Sequence, residues 1–175
     1  GGDGDGPTFA GDHPRIYLER NRERLTAALD AGSPAGTRFK DMVDDQLAGG
    51  DNYGFESWYA ALVGQLTGDP QYCAYAVPHT DGQVAAEEAR ISSGEAPDVA
   101  HDSYLYVGDE IGDMMLTYDW CFDAMSNGQR TRWLDFAAQA VWNVWHPDEA
   151  QWNGVVMPWS GWATHDPSNN YHYSF

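Results

Sequence analysis

The sequence predicts an all-α fold built of consecutive antiparallel helix pairs. Apolar residues recur at steps of three and four along most of the chain, and Gly, Pro or a capping residue closes each periodic stretch. No run alternates with period two over enough residues to make a convincing strand, which leaves helices joined by short turns.

The chain divides into a flexible Gly/Asp-rich linker over residues 1–12 and one domain over 13–175. The linker opens Gly1-Gly2-Asp3-Gly4-Asp5-Gly6-Pro7, with no apolar stretch and no cleavage-site pattern, like the remnant of a removed signal or anchor. Residues 19–30 place Leu25, Ala28 and Leu29 at helical spacing, and Gly32-Ser33-Pro34 supplies a stop, an N-cap and a first-turn Pro. The next helix runs to about Leu47 with Phe39, Met42, Val43 and Leu47 on one face, and Gly49-Gly50-Asp51-Asn52 breaks it. A third helix, Phe55 to Thr67, carries Trp58, Tyr59, Leu62 and Leu66 before Gly68-Asp69-Pro70 repeats the stop, cap and Pro. A short helix to about Val77 follows. The weakly patterned stretch 78–101 reads as a loop with one polar helix around Gln83 to Ile91.

From Asp102 the periodicity strengthens: Tyr104, Val107, Ile111, Met114, Met115, Tyr118 and Phe122 mark five turns of helix. Ser126 with Gln129 then forms a capping box for a helix bearing Trp133, Phe136, Ala137, Ala140, Val141 and Val144, closed by His146-Pro147. Residues 148–170 read as a long loop, a length that in a compact domain usually serves function.

Composition narrows the function. The 175 residues hold 27 acidic and 9 basic side chains, a formal charge of −18; eight of the basic residues are Arg and one is Lys40. Without a basic run, a nucleic-acid or anionic-membrane binder is excluded, because phosphate affinity comes from clustered Lys and Arg. No 18-residue apolar run exists, so no membrane span is expected. The acidic surface fits a salt-adapted or extracellular protein, and secreted or periplasmic placement is expected. Cys73 and Cys121 form no C-x-x-C pattern; they are either one disulfide or two buried thiols, and their apolar helical neighbours favour thiols. No cofactor is expected and no metal site is assigned, since His and carboxylates recur at no ligand spacing, His101-Asp102 included.

Candidate chemistry gathers near the end of the chain. Residues 142–175 hold five Trp (Trp142, Trp145, Trp152, Trp159 and Trp162), two Tyr and one Phe. In an irregular polar segment, flat faces with an N–H suit sugar stacking, and Trp159 and Trp162 are the leading candidates; the alternative is that such residues plug the loop onto the helices beneath. His165 begins the polar cluster that continues through Ser168, Asn169, Asn170, Tyr171, His172 and Tyr173. With Ser168 or Asn169 as an N-cap, Asn170, Tyr171, His172 and Tyr173 occupy a helix's first turns, where N–H groups and the dipole favour an anion. Such a patch suits removal of the proton alpha to a uronic-acid carboxylate, with loss of the group at C4. Asn neutralises the carboxylate, and His or Tyr moves the proton. The duller alternative is that the Asn residues only cap a helix. Asp109, Glu110 and Asp113 read as a solvated helix face, with a carboxylate pair for glycoside hydrolysis as the sharper alternative.

Three segments carry a resemblance. His13-Pro14-Arg15-Ile16-Tyr17-Leu18, the stretch Leu116-Thr117-Tyr118-Asp119-Trp120-Cys121-Phe122-Asp123-Ala124-Met125-Ser126, and Asn169-Asn170-Tyr171-His172 together resemble the heparinase II/III-like and alginate-lyase group of polysaccharide lyases. The resemblance implies an (α/α) toroid, incomplete here, and cleavage of an acidic polysaccharide by β-elimination. Asn170 resembles the carboxylate-neutralising Asn and His172 the base; the family more often places His directly after Asn, and here Tyr171 intervenes. The toroid and the aromatic last residues, with no helix stop after them, lead to the expectation that the chain is the N-terminal part of a longer polypeptide. Two other classes stay open: a non-catalytic carbohydrate-binding module, and an (α/α)-barrel glycoside hydrolase acting through Asp carboxylates.

Overall fold

The computed structural model of the chain describes residues 12–104 and 106–157. These form six α-helices: α1 (Arg22–Asp30), α2 (Pro34–Leu47), α3 (Ser57–Thr67), α4 (Gln71–Ser93), α5 (Val107–Trp120) and α6 (Asn127–Trp145). Short 3₁₀ turns stand at Asp98–Tyr104, Phe122–Ala124 and Pro147–Glu149, and a hairpin of two short strands follows, β1 (Gln151–Trp152) and β2 (Val155–Val156). The described chain is all-α apart from that hairpin. None of its helices is long and apolar enough to cross a membrane.

Local signals place the helix starts. Ser33 Oγ accepts the Gly36 N–H at 3.1 Å with Pro34 in the first turn of α2. The Ser126–Gln129 capping box at α6 is formed in both directions. The Asp69 carboxylate accepts the Gln71 N–H as α4 begins. The six-turn helix α4 replaces the expected break at Val77 and loop beyond it. Pro78 lacks an N–H and costs the helix a hydrogen bond, but it faces solvent, while Tyr72, Ala76, Val77, Thr80, Val84 and Ile91 bury one continuous stripe. Before α5, the segment expected to be helical from Asp102 is instead a 3₁₀ turn.

Helix α3 is the centre of the bundle. It packs against both α4 and α5 and also meets α1 and α2. Ala60, Ala61, Val63 and Gly64 are buried along it, and at Gly64 the helices come so close that a Cβ would lie 3.2 Å from Tyr72 Cβ. The core continues through Val107, Ile111, Met114 and Tyr118 of α5 into Trp133, Ala137, Ala140 and Val144 of α6. Val141, expected on that stripe, is 45% exposed.

A buried carboxylate joins the N-terminal segment to this core. Asp119 is 3% exposed; its Oδ2 accepts the N–H groups of Arg15 at 2.7 Å and Ile16 at 2.8 Å, and its Oδ1 accepts His13 Nδ1–H at 2.6 Å. The His13 ring stacks on Phe122, centroids 3.8 Å apart. Trp120 Nε1 donates to the Ile16 carbonyl, Gln65 of α3 donates to the Trp120 carbonyl, and Arg22 of α1 donates to Gln65. Two of the three resembling segments therefore meet at one point.

Beside this point the two cysteines form a disulfide, with Cα atoms 5.4 Å apart. This corrects the expectation of buried thiols. Both positions do sit in apolar surroundings, but the helix pairing sets the start of α4 against the end of α5 within bonding reach. The 151–156 hairpin corrects the expectation of a loop without strands. Asn153 and Gly154 take φ of 47° and 77°, the conformation that a two-residue turn between antiparallel strands requires.

Two outcomes follow. Asp119→Ala leaves buried donors without an acceptor and lowers unfolding free energy by about 3 kcal/mol in urea titration; a loss under about 0.5 kcal/mol, ordinary for a surface site, contradicts the role given to it. Replacing both cysteines by Ala frees a loop of sequence separation 48 and costs about 4 kcal/mol, and an unshifted denaturation midpoint refutes this.

Candidate functional site

Trp159, Trp162, His165, Asn169, Asn170, Tyr171, His172 and Tyr173 lie outside the described residues, as do residues 1–11 of the linker. The aromatic residues that lead toward that segment are described, and they differ in role. Trp152 is buried and packs on Phe136, centroids 5.4 Å apart, so it fastens the hairpin to α6. Asn143 assists, donating to the Gln151 carbonyl and accepting the Gln151 N–H. Trp142 stacks on His146, and Trp145 is 62% exposed. Plugging of loop onto helix, the alternative to sugar contact, describes Trp152.

A concave site does lie within the described residues. Where the N-terminal end of α3 meets α4 and α5, a cleft of about 400 Å³ is lined by Glu56, Glu87, Asp98, Asp109, Glu110 and Asp113, with Thr80, Gln83 and Phe136 between them. Glu56 precedes α3, Glu87 belongs to α4, Asp98 opens the 3₁₀ turn, and the other three come from α5. Val84, Ile111 and Met114 add apolar wall. Lys and Arg are missing from this lining; Arg90, outside it, pairs with Asp98 at 3.1 Å and with Glu87 at 3.9 Å.

Burial, with crowding by neighbouring charge, raises the proton affinity of Glu110, Asp113 and Glu56. Burial pushes Glu110 up to about 7, helped by repulsion from Glu87, Asp98, Asp109 and Glu56. Burial, then the charges of Glu56 and Asp109, takes Asp113 up to about 6. Glu56 is raised as well, again first by burial. The expected solvated face of α5 is therefore only partly that. Asp109 and Glu110 do meet solvent, but they do so inside a cleft shared with carboxylates from other elements.

Thr80 is the other unusual group. It is 2% exposed, and its hydroxyl has no hydrogen-bond partner. Ser57, also on the lining, is already bonded to His79 Nδ1 at 2.9 Å. Among the described residues no three His, Cys, Asp or Glu stand close enough to hold a metal ion; His101 instead lies 3.3 Å from Asp98. Sequence reasoning reached the α5 carboxylates and missed Glu56, Glu87 and Asp98. The usable signal was the continuous face of α4, on which Thr80, Gln83, Val84 and Glu87 recur at steps of three and four.

Comparison of the chain with family models, with curated proteins and with solved structures finds no match.

The raised carboxyls fix a pH dependence. A group whose pKa is higher folded than unfolded binds its proton more tightly in the native state. Its stabilising effect is therefore complete below the unfolded value and is lost as pH rises through the folded one. For Glu110 that window runs from 4.5 to about 7. Because Glu110 still meets solvent, screening trims the effect, and Glu110→Gln gains on the order of 1 kcal/mol over the parent at pH 8 and little at pH 4. Urea titrations at both pH values test this, and an equal difference at each overturns it.

Proposed function

We propose that the protein degrades polysaccharide by β-elimination and that this chain is part of an (α/α) toroid presenting the Asn169–His172 segment to a uronic acid. The observation that supports this best is the meeting of two separated motifs at Asp119. His13-Pro14-Arg15-Ile16 and Tyr118-Asp119-Trp120 carry the resemblance to heparinase II/III-like and alginate lyases, and they contact one another through hydrogen bonds of 2.6 to 3.0 Å. Their joint presence thus has one physical cause, which strengthens the resemblance beyond two unrelated short matches. Consecutive helices pack on one another, α1 on α2 through α5 on α6, which is compatible with such a ring. The Cys73–Cys121 disulfide supports a secreted or periplasmic setting.

In this reading the Asn170 amide neutralises the substrate carboxylate and holds the charge that develops as the C5 proton leaves. His172 takes that proton, or Tyr171 does, and the C4 leaving oxygen receives one from an acid. Asn169, Tyr173, His165, Trp159 and Trp162 hold the sugar.

The acidic cleft favours a second reading, glycoside hydrolysis by paired carboxyls, because acidic side chains from the residue before α3, from α4, from the 3₁₀ turn and from α5 line a common space. The products separate the two: elimination yields an unsaturated uronate that absorbs near-ultraviolet light, and hydrolysis does not. Polyuronate digestion by the intact protein generates that absorbance, and Asn170→Ala lowers its rate by about a hundredfold or more with circular dichroism unchanged. Normal turnover in that variant rules out the role of Asn170.

A further inference from the structure

We propose that the acidic cleft between α3, α4 and α5 is a binding site for a protonated amino sugar. The proposal stands on the cleft itself and not on the elimination reading.

Six carboxyl groups from four separate elements line a concavity of about 400 Å³; Arg90, outside the lining, pairs with Asp98 at 3.1 Å and Glu87 at 3.9 Å, and among the described residues Glu56, Asp109, Glu110 and Asp113 have no Lys or Arg partner. Repulsion and partial desolvation in such a space are relieved by a cation, and the summed field of like charges in a concave low-dielectric wall attracts one. A bare metal ion does not fit, because no three acidic groups of the described residues come close enough to coordinate it. The volume instead matches an organic ligand, whose pockets span about 300–1,000 Å³.

The remaining lining says which organic cation. Thr80 is buried with its hydroxyl unpartnered, an arrangement that costs free energy until a donor or acceptor arrives. The Gln83 amide and the Phe136 ring stand on the same lining. A ligand with one ammonium group, several hydroxyls and an apolar ring face meets carboxylates, hydroxyl, amide and aromatic together. A simple polyamine uses only the carboxylates. A uronic acid is repelled here, so this site is separate from any surface that receives a sugar carboxylate.

Isothermal titration of the intact protein at low ionic strength tests the assignment with three probes: a glucosamine trisaccharide with free amines, its fully N-acetylated counterpart, and spermidine. The free-amine trisaccharide binds about tenfold or more tighter than the N-acetylated one and tighter than spermidine. Glu110→Gln with Asp113→Asn weakens it about tenfold, whereas Asp30→Asn with Asp41→Asn, acidic positions away from the cleft, changes it less than about twofold. Should the cleft pair fail to fold, Thr80→Val decides, with a loss of about threefold or more expected. Equal affinity for both sugars, spermidine binding as tightly as the trisaccharide, equal weakening by both double substitutions, or no effect of Thr80→Val overturns the proposal.

Discussion

The arrangement of the bundle depends on one buried carboxylate. Asp119 sits at the end of α5 with almost no solvent contact, and three donors from the segment before α1 satisfy it. A charge taken out of water is tolerated only with such partners, so the end of α5 has one place to be. From that point Trp120, Gln65 and Arg22 carry the alignment to α3 and α1, and the neighbouring disulfide carries it to α4. The opposite end of α5, three turns away, is thereby held against α3 and α4, and there its carboxylates meet Glu56 and Glu87. The acidic cleft is a consequence of the same constraint.

Charge divides the surface into two kinds of chemistry. A chain of charge −18 that handles a polyuronate needs local donors to offset repulsion, and past Arg132 the sequence supplies amides, imidazoles and phenols with no Lys or Arg. Amide donors such as those of Asn can hold a sugar carboxylate's charge without a basic patch. The cleft does the reverse, collecting negative charge around an unpartnered hydroxyl.

What the sequence disclosed, and what it hid, follows from the range of the interactions involved. Ser33, Ser126 with Gln129, and the stripe Val107, Ile111, Met114 and Tyr118 act within a turn or two, so spacing alone located α2, α5 and α6. The stretch beyond Val77 looked weakly patterned, while the burial of Ala76, Val77, Thr80 and Val84 that carries α4 through Pro78 belongs to tertiary packing. Asn153-Gly154 was a legible turn, hidden because its flanking strands are only two residues long. The cysteine bond and the cleft join positions up to 57 residues apart, Glu56 to Asp113, and no periodicity reports such distances. The segment 158–175, for which the elimination chemistry is proposed, lies outside the described residues.

Mass spectrometry of the products formed by the intact protein from a polyuronate of defined length is the most direct test of the account. Elimination adds nothing across the broken bond, so the masses of the two fragments sum to that of the substrate. Fragments whose masses together exceed the substrate by one water signify hydrolysis and contradict the account.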